Sequence, residues 1–383
     1  MQLNREDLFT LNIGLQEDQL AIYWPEGDLG LAHTDLAMRD GLFYISDGRG
    51  QKIVRYNSYG DLLVMVYNEQ TNPLPLSLRP LQPDTVVTRW LFSYPFEEPG
   101  KIAVDSRKHL YVADKLPFER HSFDRENQTI LDSVLLHFDE NGRFIKYLGK
   151  EGIGGSPFPS IAGIYISSDD DVVVTCRLPR GWDIFWFDRD GTLKLLMHLL
   201  NANIPTPQNR ESYRAPLFSS VDALCVAPDE QHIYLKVDYY RDTFDEQTNT
   251  RTAPEPDSSV VWILDAQSGS YISSIEVPFF EYTFSENGRQ HTEKMIYSLL
   301  GSAAGGRVFL SYPVEGGYSI LTLPTEFAAD PTQHQGFIQV ADEELVFNSF
   351  NLSEDGVLSA LLVSDWNVKV VWWRTDKLIG TVP

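Results

Sequence analysis

Leu42-Phe43-Tyr44-Ile45-Ser46-Asp47 is the first of six runs built to one plan, apolar residues closing on a small, polar or acidic one. Leu110-Tyr111-Val112-Ala113-Asp114 repeats it. Val172-Val173-Val174-Thr175-Cys176, Ile233-Tyr234-Leu235-Lys236-Val237, Val308-Phe309-Leu310-Ser311-Tyr312 and Leu361-Leu362-Val363-Ser364-Asp365 follow. The runs end at 47, 114, 176, 237, 312 and 365. Successive ends therefore lie roughly 53 to 75 residues apart, and the interval through the termini is about one repeat, as a closed ring requires. A long period built of short strands is the mark of a propeller. The 383 residues read as all-β, one six-bladed β-propeller domain of four-stranded antiparallel blades spanning 1–383.

Strand alternation supplies the other three strands of each repeat. The innermost are predicted at 35–38, 101–104, 163–166, 223–226, 295–299 and 349–352. The third strands fall at 52–56, 133–138, 183–187, 259–264, 318–323 and 368–373, and the fourth at 62–67, 143–148, 193–198, 271–277, 337–340 and 377–381. Between third and fourth strands stand turns such as Asp139-Glu140-Asn141-Gly142 and Asp188-Arg189-Asp190-Gly191. There Asp or Asn bonds nearby backbone and Gly supplies the positive φ of a bend. The second of these is not a calcium loop: that loop needs a Glu at its twelfth position, and residue 199 is Leu. A strand at about 8–14 is expected to close the ring with the C-terminal blade, because open sheet edges must be sealed.

Composition narrows function. Lys plus Arg number 31 against 54 Asp plus Glu, a formal charge of −23. That balance argues against nucleic acid, which needs a basic stripe, and disfavours anionic lipid surfaces. No run reaches the length of a transmembrane helix, and the polar Met1–Asp7 start is not a signal peptide. Cys176 and Cys225 each sit inside an apolar run and are expected to be buried thiols, with a disulfide between neighbouring repeats left open. The chain is expected to be a monomer.

Pro99-Gly100-Lys101-Ile102-Ala103-Val104-Asp105 followed by Leu110-Tyr111-Val112-Ala113-Asp114, with Gly149-Lys150-Glu151-Gly152-Ile153-Gly154-Gly155 as an interblade link, resembles the NHL-repeat six-bladed propellers. Leu8-Phe9-Thr10-Leu11-Asn12-Ile13-Gly14 resembles NHL-like lipoproteins of spirochaetes. The first resemblance implies a fold that hosts lyases, calcium hydrolases, protein-binding domains and envelope proteins. The second implies an exported or periplasmic lipoprotein of the cell envelope.

Strand reversal puts second-to-third and blade-to-blade connections at one end of the ring. That end holds the long segments 69–99, 115–132, 200–219, 238–258 and 279–293, whereas the other end is mostly tight turns. Long segments concentrated on one face point to function. They are rich in aromatic residues and Arg, the types that dominate binding hot spots. Trp90, Tyr94, Phe118, Arg120, Tyr240 and Arg241 are the candidate ligand-binding residues. The leading expectation is a non-enzymatic recognition scaffold for a protein, peptide or glycan, with no catalytic residue and no cofactor. The alternatives are a structural envelope protein and a calcium-dependent, lactonase-like hydrolase. In the hydrolase reading Asp35, Glu98, Asp222, Glu293 and Asn348, with His33 nearby, ring the axial mouth and hold Ca²⁺.

Overall fold

The computed structural model describes residues 1–22, 33–76, 89–207, 217–244, 250–286 and 289–379. Among them are six antiparallel blades, no α-helix and four short 3-10 turns. Blade one runs Asp35–Arg39, Leu42–Asp47, Lys52–Asn57, Leu62–Tyr67 from axis to rim. Blade two runs Ile102–Val104, Leu110–Lys115, Ser133–Phe138, Phe144–Gly149, and blade three Ile161–Ile166, Val172–Leu178, Gly181–Phe187, Leu193–Leu200. Blade four comprises Leu217–Val226, His232–Arg241, Glu255–Asp265 and Tyr271–Val277, and blade five Ser298–Ala303, Arg307–Val314, Gly317–Pro324 and His334–Gln339. Blade six has Phe347–Leu352, Leu358–Val363 and Asn367–Trp373 from the C-terminal end of the chain. Its fourth strand is the N-terminal Arg5–Ile13, paired antiparallel from Arg5 opposite Trp373 to Asn12 opposite Asn367.

The strands carry apolar residues on both faces because each blade is covered on both faces. The hydrophobic core is accordingly divided into six clusters, one per seam between neighbouring blades. In the seam between blades six and one, Leu11, Val368 and Val370 meet Leu36, Phe43 and Ile45. Close seams need small turn residues. Gly142, at φ 91°, would press a Cβ to 2.6 Å from Val64 Cγ1 of blade one. Gly60, Gly191 and Gly269 hold the same turn position against Phe9, Leu148 and Met197 of the preceding blade. Cys176 and Cys225 are free and buried, on different seams.

Three sequence expectations are corrected. Lys377–Thr381 is not the fourth strand of blade six, since Arg5–Ile13 occupies that edge. Instead Thr375–Leu378 forms a 3-10 turn that buries Leu378 between blades five and six, and residues 380 and 381 lie outside the described residues. The inner strand of blade five is Ser298–Ala303 rather than 295–299. Met295 ends a separate hairpin arm, and the alternating Met295–Leu299 run does not distinguish the two. In blade six the second strand stops at Val363, and Ser364 closes the turn by bonding Asn367.

Charge reinforces ring closure. Arg5 donates to both oxygens of buried Glu344, at 2.5 and 2.8 Å, and Lys369 Nζ reaches Glu344 at 2.7 Å. The Arg5 hydrogen bonds hold the Glu344 carboxyl down to about 2. A depressed carboxylate adds stability above its unfolded pKa and loses it as pH falls towards the folded value. Glu344→Gln should therefore lower stability at pH 7 by roughly 2–3 kcal/mol. The gap from wild type should shrink between pH 4.5 and 2, as read from denaturant midpoints. A gap that is independent of pH would show that the clasp is not ionic.

Candidate functional site

Parts of the long segments are ordered as strand. Segment 115–132 becomes a 3-10 turn, Phe118–Arg120, followed by a hairpin of Ser122–Asp124 and Thr129–Leu131. Segment 238–258 is strand over 238–241 and 255–258, with a single bridge between Phe244 and Arg251 beyond them. It continues the strands of blade four upward, with Leu217–Ser219 as a third strand, Leu217 opposite Arg241 and Arg241 opposite Glu255. Segment 279–293 folds as the hairpin of Phe280–Glu286 and Arg289–Met295. Residues 77–88, 208–216, 245–249 and 287–288 of these segments lie outside the described residues.

Aromatic pairs sit on these hairpins because cross-strand and same-face neighbours meet there. Phe123 faces Ile130, and both are exposed. Phe218 stacks on Tyr240 with centroids 6.4 Å apart. Tyr282, exposed, stacks on Phe284 at 5.9 Å. Phe118 is 83% exposed and Trp366, on the blade-six turn, 82%. The six candidate binding residues divide. Phe118 and Arg120 are exposed, and Tyr240 and Arg241 are half-buried within the blade-four extension. Trp90 lies on an added parallel strand at the rim of blade one, stacked on Phe92. Tyr94 packs among Phe96, Phe138 and Phe144, and burial pushes its hydroxyl up to about 12. The structure does not gather the six into one cluster.

At the axial mouth on this face lies a cavity of about 390 Å³, walled by blades one, two, three and six. It is lined by charged side chains, hydroxyls and Asn348, with Phe347 and Phe350. His33 Nδ1 lies 2.5 Å from Glu98 Oε1 across the blade-one/two boundary. Asp35 Oδ1 accepts from Ser349 Oγ at 2.8 Å and pairs with Lys101 at 3.4 Å, while Oδ2 accepts from Ile102 N at 3.3 Å. Lys115 pairs with Asp132 at 2.7 Å. Buried Asp114 accepts from the backbone N–H groups of Glu98 and Glu97, at 2.8 and 3.3 Å. Those donors precede Asp114, whereas Gly50, bonded to the equivalent Asp47, follows it.

Of the proposed calcium ligands, Asp35, Glu98 and Asn348 line this mouth, and Asp222 and Glu293 do not. Asp222 is the extra residue of a β-bulge in blade four. Its carboxylate accepts from Leu299 N of blade five at 3.0 Å and pairs with buried Lys236 at 3.4 Å. Asp35 does the same between blades one and two: both aspartates tie down the first residues of the next inner strand. Glu293 is exposed on the far hairpin, opposite Tyr282. Among the described residues no three His, Cys, Asp or Glu side chains could hold a metal ion together. Both Asp35 oxygens accept from protein donors and Glu98 Oε1 faces His33, so an axial Ca²⁺ would have to displace these partners. Sequence reasoning missed Lys101, Lys115 and Ser349 at the mouth. Each adjoins a strand residue that was singled out, but the pairing across blades is visible only in three dimensions.

No family model matches the chain, and neither does any curated protein. Solved structures similar to it include a protein assigned to the gluconolactonases, with TM-score 0.42 and 10% identity over 97% of this chain and 92% of that one. Others are a gluconolactonase from Xanthomonas campestris, with 0.40 and 11% over 87% and 82%, and a family PL25 ulvan lyase, with 0.41 and 9% over 94% and 96%. Among the described residues no helix is long and apolar enough to cross a membrane.

Burial raises the Asp114 carboxyl to about 7 against the two backbone donors that favour its charge. A raised carboxyl contributes fully below the unfolded pKa and loses that contribution as pH climbs through the folded one. Relative to Asp114→Asn, the wild type should lose roughly 2–4 kcal/mol of stability between about pH 4 and 7. Chemical denaturation at several pH values measures this, and a constant difference would contradict it.

Proposed function

We propose that this protein is a recognition propeller that binds a protein, peptide or glycan through its decorated face without catalysing a reaction. One observation carries the reading: exposed aromatic side chains on three strand pairs, Phe123, Phe218 and Tyr282, share a face with a polar cavity at the axis. Concave polar sites flanked by aromatic anchors are where binding energy concentrates. Charge at the mouth is already balanced internally, which suits complementarity more than chemistry. The calcium-dependent hydrolase is the second reading, favoured by Asp35, Glu98 and Asn348 lining one cavity. Calcium would there have to displace Lys101 and Ser349 from Asp35.

Peptide and glycan arrays should yield ligands for the wild type. Phe118→Ala with Phe123→Ala and Tyr282→Ala should weaken binding at least tenfold while Tm stays within about 2 °C, since these exposed tips support no blade. Tyr59→Ala, an exposed residue on the opposite face, should change nothing. Binding lost only in Tyr59→Ala would reverse the assignment of faces. A calcium-induced rise of several degrees in Tm, accompanied by lactone hydrolysis, would favour the hydrolase instead.

A further inference from the structure

The mouth cavity carries features that narrow the ligand, given the recognition reading above. Among the described residues, each charged side chain in its wall already has a partner: Glu98 meets His33, Lys101 pairs with Asp35, Lys115 with Asp132, and Asp114 accepts from two backbone N–H groups. A ligand recognised through its own charge would have to break one of these pairs and leave its partner uncompensated. The overall charge of −23 further opposes a polyanion at long range.

What the wall offers instead is neutral hydrogen bonding and a ring. The Ser160 side chain and the Asn348 amide, which also bonds Tyr318, line it with Phe347, whose ring packs in part on the seam between blades six and one. Thr34, also in the wall, is 5% exposed, and its buried Oγ1 has no hydrogen-bond partner. It is one of nine buried side-chain polar atoms without a partner among the described residues, and a ligand hydroxyl that reached it would satisfy it. Paired carboxylates still have lone pairs free to accept hydroxyl protons, and a phenyl ring packs on the C–H face of a pyranose. The volume of about 390 Å³ lies within the range for small-ligand sites and is too small for a folded partner.

We propose that the axial mouth binds a neutral saccharide, one or two sugar units of a chain whose remainder runs out over the hairpins. A peptide is the less suitable occupant. Its backbone amides would be met here by paired charges.

Titration calorimetry with cellohexaose, maltohexaose, xylohexaose and chitohexaose, with hexagalacturonate as the charged comparator, tests this. At least one neutral hexasaccharide should bind with an affinity that changes less than twofold between 50 and 500 mM NaCl, roughly as expected for an uncharged ligand. Asn348→Ala and Phe347→Ala should each weaken it about tenfold. Thr34→Val should weaken it while leaving the Tm of the free protein equal or higher, because it removes an unsatisfied buried hydroxyl. A purely structural role for Thr34 would leave affinity untouched. Binding confined to hexagalacturonate and abolished by salt would overturn the proposal. So would saccharide binding that survives all three mouth variants. If no saccharide binds but array peptides do, and these are lost with the hairpin variants, the recognition reading stands and the saccharide is refuted. If nothing binds, both fall.

Discussion

The seams between blades are the constraint on which everything else in this molecule rests. No blade has a core of its own: its inner-facing apolar residues are buried only because another blade lies against each side. Six blades therefore need six seams, and the sixth exists only when the two ends of the chain meet. Arg5–Ile13 supplies the outer strand of blade six, and Leu11 with Leu20 and Ile22 fills the seam to blade one. At a burial gain of roughly 1.5–3 kcal/mol per large apolar side chain, an unfilled seam would forfeit more than a typical domain's net stability. The Arg5–Glu344–Lys369 cluster adds direction to that closure, since it pairs only in the correct register.

The same constraint explains the chemistry at the axis. Inner strands converge there with few neighbours to hold them, and their first N–H groups need acceptors. Asp35 and Asp222 serve neighbouring strands in this way, in blades that face each other across the ring. Carboxylates that read as a ring of ligands along the sequence are thus largely committed to geometry. What they leave at the mouth is a wall of matched charges, a short supply of hydroxyl and amide groups, and two phenylalanines.

The period, the blade count and most strands were legible in the sequence because burial on both faces imposes the same apolar runs on every repeat. Asp139–Gly142 and its equivalents fixed register, since their Asp and Gly have no other economical conformation. Blade five was least legible. Met295-Ile296-Tyr297-Ser298-Leu299 alternates well enough to be an inner strand, and only the pairing of Met295 with Phe280 assigns its first residue to the hairpin. Lys377–Thr381 failed for a different reason: two segments of suitable pattern competed for one edge, and local pattern does not rank them. The candidate site was legible as a face but not as a set of contacts. Composition located the aromatics. It did not separate Phe118, which reaches solvent, from Tyr94, which packs among three phenylalanines.

The closing strand has a consequence for how the molecule is made. Arg5–Ile13 leaves the ribosome before any strand of blades one to five, whereas its partner Asn367–Trp373 follows all of them. Five blades must be synthesised between the two. Throughout that interval blade one lacks the cover of blade six along one flank, and an edge-competent strand waits unpaired. The delay is set by translation time and not by any barrier within the blades. A chain truncated before residue 367 would hold five blades' worth of correct pairing and still present an open flank to its neighbours.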